Sequence, residues 1–518
     1  MQTTSLKSIA GKWIMVSTIL ASSMAFIDGT ALNVALPSLQ KSLNASGADL
    51  FWILNAYLLM LASLIILGGS LGDKLGRKKV FVTGIIIFMI GSAACGLSPN
   101  IFILIICRSI QGLGGALMIP GSLSIISSSF TAKERGKAIG TWSAFTTMVT
   151  VGGPILGGAL ADAGLWRYIF FINIPIGVVS VLILFFKVKE SRDEETDHAL
   201  DFPGAITSLV GLVLLTFGFL RMPALGFNNP KVYISMIAGI VAIGSFIFIE
   251  KHSKHPLMPL NFFSNKTFSG TNLLSFFLYA GLGAGILFLN LDMIQVQGYS
   301  QFIAGLTLLP FTILMITIAR FAGSLADKHG PRLILIAGPF AAGVGLMILS
   351  FVKETNGPSS YFTSFFPGIL IFGLGMSFTV APLTATVMSA LPDHVSGIAS
   401  GINNATTRIA GVFANAILGA LAILFFSGFL NERMSNIKLD DKEKKLVFQQ
   451  VQNLGNAKVP VTINKNDKTK ITALYKEGFI KAYNKIMLIC SALAFTGALM
   501  SFLFIRDKDV KNKNKMAI

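Results

Sequence analysis

Gly69-Ser-Leu-Gly-Asp-Lys-Leu-Gly-Arg-Lys78 and Gly323-Ser-Leu-Ala-Asp-Lys-His-Gly-Pro-Arg332 are two copies of one loop, and they decide how the rest of the chain is read. Six of the ten aligned positions are identical, and Gly72/Ala326 and Lys78/Arg332 are close substitutions. The glycines allow a tight reversal between helices. Asp73 or Asp327 can cap the following helix or pair with an arginine. One copy alone would read equally well as a plain basic loop that fixes topology. Two matching copies point to an internal repeat.

Each copy ends an apolar run. The 518 residues are 53% hydrophobic and 13% charged, against about 25% charged in soluble chains. The charges cluster between runs of about twenty apolar residues, the length that crosses a bilayer core of about 30 Å as a helix. Open sheet edges cannot survive in lipid, so the spans are helices and the fold class is an all-α polytopic membrane protein. Spans are expected near 12–36, 50–72, 79–97, 100–122, 135–161, 166–187, 203–222, 232–250, 267–291, 299–326, 331–352, 361–390, 396–426 and 482–505. Lys7 and Lys12 followed by Trp13–Ala21 resemble a cleaved leader, but the apolar pattern continues to Pro37.

The loop copies follow spans two and ten on the same side of the membrane, which makes the repeats parallel. Six spans per repeat place the second repeat at span nine, with spans seven and eight inserted. The expected organisation is therefore 6+2+6. Residues 1–190 form the N-terminal bundle, 191–265 a two-helix linker, and 266–518 the C-terminal bundle with a long external loop near 428–481. That loop reads as a solvated linker or partly helical cap, with a partner-binding or gating role left open.

The net charge of +18 suggests nucleic acid until its distribution is counted. With the N-terminus inside, cytoplasmic segments carry about 22 Lys and Arg, through Lys515, and the short external loops about five, which is the positive-inside bias. The exception is the segment near 428–481, with about a dozen basic residues, whose length puts it near the upper limit of the rule and gives it little weight. The excess sets topology, with both termini cytoplasmic, and implies no nucleic-acid partner. Cys95, Cys107 and Cys490 fall inside spans, so no disulfide framework is readable. His252 and His255 sit among lysines that repel a cation, so no metal site is expected. No phosphate-cradling loop with a following Lys-Ser/Thr appears. An enzyme is not expected, nor a cofactor, and energy must come from an ion gradient.

Several further motifs carry a resemblance. Phe26-Ile-Asp-Gly-Thr-Ala-Leu-Asn-Val-Ala-Leu-Pro37, Gly69–Lys79, Arg108-Ser-Ile-Gln-Gly-Leu-Gly-Gly115, Gly152-Gly-Pro-Ile-Leu-Gly-Gly158, Asp201-Phe-Pro-Gly204 and Gly397-Ile-Ala-Ser-Gly-Ile-Asn-Asn404 stand at matching places. Together they resemble the fourteen-helix drug:proton antiporter family of the major facilitator superfamily, over nearly the whole chain. The resemblance implies the major facilitator fold, with two pseudo-symmetric six-helix bundles. It also implies a multi-pass protein of the inner or plasma membrane that exports amphipathic small molecules against protons by alternating access. It further implies a cytoplasmic gate at Gly69, Asp73, Gly76, Arg77, Asp327 and Arg332, with Asp73–Arg77 and Asp327–Arg332 as latches. The chain departs from the family near Asn290–Gln295, where Asp292 stands in place of a Pro and Tyr pattern.

The residues supply a mechanism beside the resemblance. Asp28 lies roughly 12 Å deep by helical rise, and an acid at such depth is a functional candidate by default. Arg108 has a similar depth in span four. A guanidinium beside Asp28 favours the carboxylate, whereas burial favours the acid, so a proton or a substrate can tip the balance. Gln111 shares the Arg108 face. Asn33, Gln111 and Arg408 are candidate substrate-cavity residues. For Arg408, near Asn403 and Asn404, an anion contact and a helix-tying charge remain equally open. Gly152, Gly153, Pro154, Gly157 and Gly158 suit a close, bending helix contact, with static packing as the alternative.

Asp28 reads as the sole acid deep in the membrane, which mildly disfavours strongly cationic cargo. A dedicated exporter of a metabolite, lipid or siderophore and a non-transporting sensor remain as alternatives. A periplasmic adaptor is left open.

Overall fold

The computed structural model describes residues 4–192, 200–392, 395–434, 437 and 439–507. The basic tail through Lys515 and residues 193–199 of the expected linker lie outside the described residues. Among the described residues, fourteen helices are long and apolar enough to cross a membrane. Spans one to six are Ile9–Leu43, Gly47–Leu75, Arg77–Leu97, Ile101–Ser129, Ala132–Asp162 and Tyr168–Lys187. The inserted pair is Phe202–Leu225 and Pro230–His252. Spans nine to fourteen are Lys266–Gln295, Gln301–His329, Pro331–Leu349, Phe366–Ser389, Ser396–Arg433 and Lys465–Phe504. An even number of crossings leaves both chain ends on one face.

Polar caps set the ends of these apolar cylinders. Ser46 and Asp49 form a reciprocal capping box at the start of span two, and Asn100 takes the Ile103 N–H at the start of span four. Spans two and three both pack closely on span four, and span eleven packs on spans twelve and fourteen. The inserted pair packs on itself and reaches both halves, through span two on one side and span thirteen on the other. Its outer surface shows Ile234, Ile237, Ile240, Val241 and Phe248, an apolar face far larger than a soluble monomer exposes.

The repeated loop becomes a repeated device. Gly76 (φ +112°) and Gly330 (φ +99°) each occupy the left-handed region that favours glycine. The N–H of each closes on the carbonyl four residues back, Gly72 and Ala326. Asp73 and Asp327 do not cap the next helix. That role falls to acids far along the chain. Glu190, just after span six, accepts from Lys78 N (2.9 Å) and Lys79 N (3.0 Å). Asp507, just after span fourteen, accepts from Arg332 N (3.0 Å). Each carboxylate neutralises a helix N-terminus at the corresponding place in its half.

Hydrogen bonds joining the halves cluster at the face away from the termini. Asp162 at the end of span five accepts from Gln301 N (2.9 Å) and Phe302 N (2.8 Å), capping span ten across the interface. Gln301 Nε2 donates to Ser38 Oγ (2.7 Å). Gln295 Nε2 (3.0 Å) and Asn456 Nδ2 (2.7 Å) both donate to Gln40 Oε1, and Gln40 Nε2 donates to Asn453 O (3.2 Å).

Span thirteen runs on to Arg433 and span fourteen begins at Lys465, so the connection expected near 428–481 is shorter than its polar composition suggests. It contains a helix at Asp441–Gln449 and a 3-10 turn at Gln450–Asn456. Val447 and Leu454 are buried in it, and Tyr475 Oη donates to Val447 O (2.9 Å). This segment lies over the seal. Gly397 and Gly401 of span thirteen meet nothing within 4 Å of a built Cβ, and the Leu309–His329 part of span ten buries only Ala322 and Ala326. The halves are hydrogen-bonded together at the sealed face, while span thirteen meets open space toward the face that carries the termini.

Candidate functional site

Spans one, two and four bring a charge pair into the interior of the N-terminal half. Asp28 is 0% exposed and Arg108 1%. Arg108 Nη1 donates to Asp28 Oδ2 (2.6 Å) and to Gln111 Oε1 (2.6 Å). Gln111 Nε2 donates to Asp28 Oδ1 (2.8 Å), so the amide bridges both charges. Arg108 Nε adds a bond to Ile53 O (3.3 Å). The guanidinium lies 4.5 Å from the Tyr57 ring centroid and 5.8 Å from that of Phe170.

The helices are built to allow this approach. A Cβ on Gly112 would meet the Tyr57 carbonyl, and one on Gly91 would lie 2.7 Å from Gln111 N. Behind Gln111, Ser92 Oγ takes weaker bonds from Gln111 Nε2 (3.3 Å) and Asn173 Nδ2 (3.0 Å). Ser92 itself donates to Phe170 O (2.7 Å). Two opposite charges buried with most lone pairs met are mutually compensating, and removing either leaves a costly orphan.

The other expected residues divide. Gln111 belongs to the buried pair and does not line a cavity. Asn33 is half-buried on span one, one helical turn from exposed Gly29. Arg408 is half-buried in span thirteen, makes no ion pair among the described residues, and has a buried Nε without a partner.

In span five, a Cβ on Gly153 would strike Thr30 Oγ1, one on Gly157 the Ala31 backbone, and one on Gly158 the Gln301 backbone. Pro154 continues this contact, since a Cβ on Gly305 would lie 2.5 Å from its carbonyl oxygen. Gly152 is different. It is exposed and faces open space, so it takes no part in this packing. The expectation for Gly152 is corrected by helical phase, because its neighbour at 153 already occupies the contact face.

At the repeated loop, Asp73 near the end of span two pairs with Arg77 at the start of span three (2.8 Å), across the break at Gly76. Gly69 approaches Pro120 at van der Waals distance. Asp327 and Arg332 do not pair. Arg332 Nη2 instead donates to Phe502 O (2.9 Å), since Pro331 stands where Arg77 does in the first copy and the arginine comes one residue later. Each contact stays within its own half, so no latch between the halves is formed here among the described residues.

Asp28 is not the sole acid in the interior. Asp292, near the sealed end of span nine, is 0% exposed. Its Oδ2 accepts from Gln297 Nε2 (3.0 Å), while Oδ1 has no partner. Its position three residues from the helix end made it look peripheral in sequence. The fold buries it all the same, with Gln297 of the following turn folded back onto its carboxylate.

The family model for the Major Facilitator Superfamily matches residues 18–415. The chain is 29% identical to Multidrug resistance protein Stp of Mycobacterium tuberculosis, over 92% of this chain and 89% of that protein. It is 31% identical to the Tetracenomycin C resistance and export protein of Streptomyces glaucescens, over 77% and 73%. Among solved structures it resembles a bacterial homologue of the human lysosomal transporter Spinster in an inward-facing, unoccupied conformation. That likeness has a TM-score of 0.68 and 18% identity, covering 97% of this chain and 99% of that one.

Proposed function

The chain belongs to the Major Facilitator Superfamily, and from that premise we propose that it exports amphipathic small molecules, drugs among them, in exchange for protons. It is a multi-pass membrane transporter and not an enzyme. The similarity to proteins named for multidrug resistance and for tetracenomycin C export supports the direction and the cargo class. The basic excess on loops of the termini face supports a cytoplasmic placement of both ends.

The observation that carries the proton reading is the buried Asp28–Arg108 pair. Protonating Asp28 converts a compensated pair into a lone buried cation that keeps Gln111 Oε1, Ile53 O and the Tyr57 face as partners. That change alters how spans one and four hold together. Span one also carries Ala31 against Gly157 and Ser38 against Gln301, so the consequence reaches the seal. A proton moving down the membrane potential supplies about 2.3 kcal/mol per 100 mV, enough to bias two packings of similar stability. The test is export of a fluorescent amphiphile from reconstituted vesicles with and without an imposed pH gradient. Export that ignores the gradient, with wild-type protein correctly inserted, contradicts the proposal.

A further inference from the structure

Arg408 stands apart from the other interior charges. Asp28 and Arg108 compensate each other, and Gln111 occupies both. Arg408 lies twelve residues into the thirty-eight-residue span thirteen, about 18 Å along its axis at 1.5 Å per residue.

Its helix face is legible from its neighbours. Gly397, Asn404, Arg408 and Gly411 share one stripe at spacings of seven, four and three. Ala405 and Val412 pack toward spans two and seven, and Asn403 turns to span nine, donating to Ser275 Oγ (2.7 Å) and Asn272 Oδ1 (3.2 Å). The Arg408 stripe therefore runs along the boundary between the halves: Gly411 lies against Leu58 of span two, while Gly397 and Gly401, toward the helix start, meet open space. Tyr57 of span two and Tyr279 of span nine lie within electrostatic reach of Arg408, one from each half.

No acid answers it. Asp28 is engaged by Arg108. Asp292 is thirteen residues beyond Tyr279 on span nine, about 20 Å farther along the helix. A half-buried guanidinium with a buried, unpartnered Nε at mid-membrane depth is a donor set awaiting an acceptor, because an uncompensated charge is costly there. Guanidinium geometry matches two oxygens of an oxyanion with two parallel hydrogen bonds.

We propose that Arg408 is the recognition site for an anionic head group, carboxylate or sulfonate, on an amphipathic substrate whose apolar body lies between the halves. This rests on the export reading and narrows its cargo to amphiphiles bearing negative charge. The apolar body gives affinity without selectivity, and Arg408 supplies the charge preference.

The test uses the full-length protein in vesicles of neutral lipid with three fluorescent probes of comparable bulk. These are anilinonaphthalene sulfonate (anionic), N-phenyl-naphthylamine (neutral) and ethidium (cationic), each corrected for protein-free vesicles. Wild type is expected to bind the anion at least tenfold more tightly than the neutral probe. Arg408→Gln should remove that preference and leave the neutral probe within twofold, while Arg408→Lys should restore part of it. Wild type with no preference for the anion overturns the inference, as does an Arg408→Gln variant that keeps it or weakens all three probes equally. Gradient-driven efflux of the neutral probe is measured in parallel. Its absence counts against export itself, and its presence without charge selectivity counts against Arg408 alone.

Discussion

Asp162→Asn should open the sealed face while leaving each half intact. The Asp162 carboxylate takes the Gln301 and Phe302 N–H groups at 2.9 and 2.8 Å, and these belong to the first turn of span ten in the other half. Span ten keeps its own cap, since Ser300 Oγ takes the Ile303 N–H (3.2 Å). The substitution therefore removes a contact between halves and not a helix. An anion at a helix N-terminus contributes about 0.3–1 kcal/mol when exposed and up to about 2 when partly buried. Asp162 is exposed, so screening sets the loss near 1 kcal/mol. That is roughly a fivefold shift in the equilibrium between closed and open at this face. Spin labels at Lys41 and Ser359, exposed positions on the two halves at the same face, report it by pulsed dipolar spectroscopy. The native cysteines are all buried. The ratio of long to short distances should rise about fivefold in Asp162→Asn. An unchanged ratio would refute the claim that this cap holds the face shut.

Other substitutions follow from the same geometry. Gly157→Val should abolish transport with normal membrane insertion, because its Cβ meets the Ala31 backbone, whereas Gly152→Val should transport normally because it faces open space. Glu190→Gln and Asp507→Asn should each lower stability by about 1 kcal/mol through loss of a helix cap. Their effects on thermal unfolding should add, since they lie in different halves. Asp28→Asn and Arg108→Gln should each destabilise by about 3 kcal/mol or more, and the double variant by less than their sum, since a lone buried charge is worse than none. Additive losses in that cycle would count against a compensated pair.

Sequence carried the architecture because membrane length, repeat and charge bias are local or simply periodic. The depths of Asp28 and Arg108 could be estimated from helical rise alone, and their bond at 2.6 Å follows once spans one and four pack. Asp73–Arg77 was equally legible as an i, i+4 pair. Asp327–Arg332 was not, because Pro331 takes the place of Arg77 and moves the arginine to i, i+5. The Glu190 and Asp507 caps join positions 112 and 175 residues apart, and no spacing signals such a contact. Span fourteen begins seventeen residues before the apolar stretch expected from 482, since its first turns carry lysines that point outward while Ile471, Tyr475 and Phe479 are buried. Hydropathy averaged over that segment hides a buried stripe.

The most direct measurement is proton release when a transported amphiphile is added to wild-type and Asp28→Asn protein in vesicles carrying a pH-sensitive dye. Wild type should release protons in proportion to bound substrate. Asp28→Asn should bind the same substrate without releasing them. Equal proton release from both proteins would contradict the assignment of Asp28 as the coupling acid.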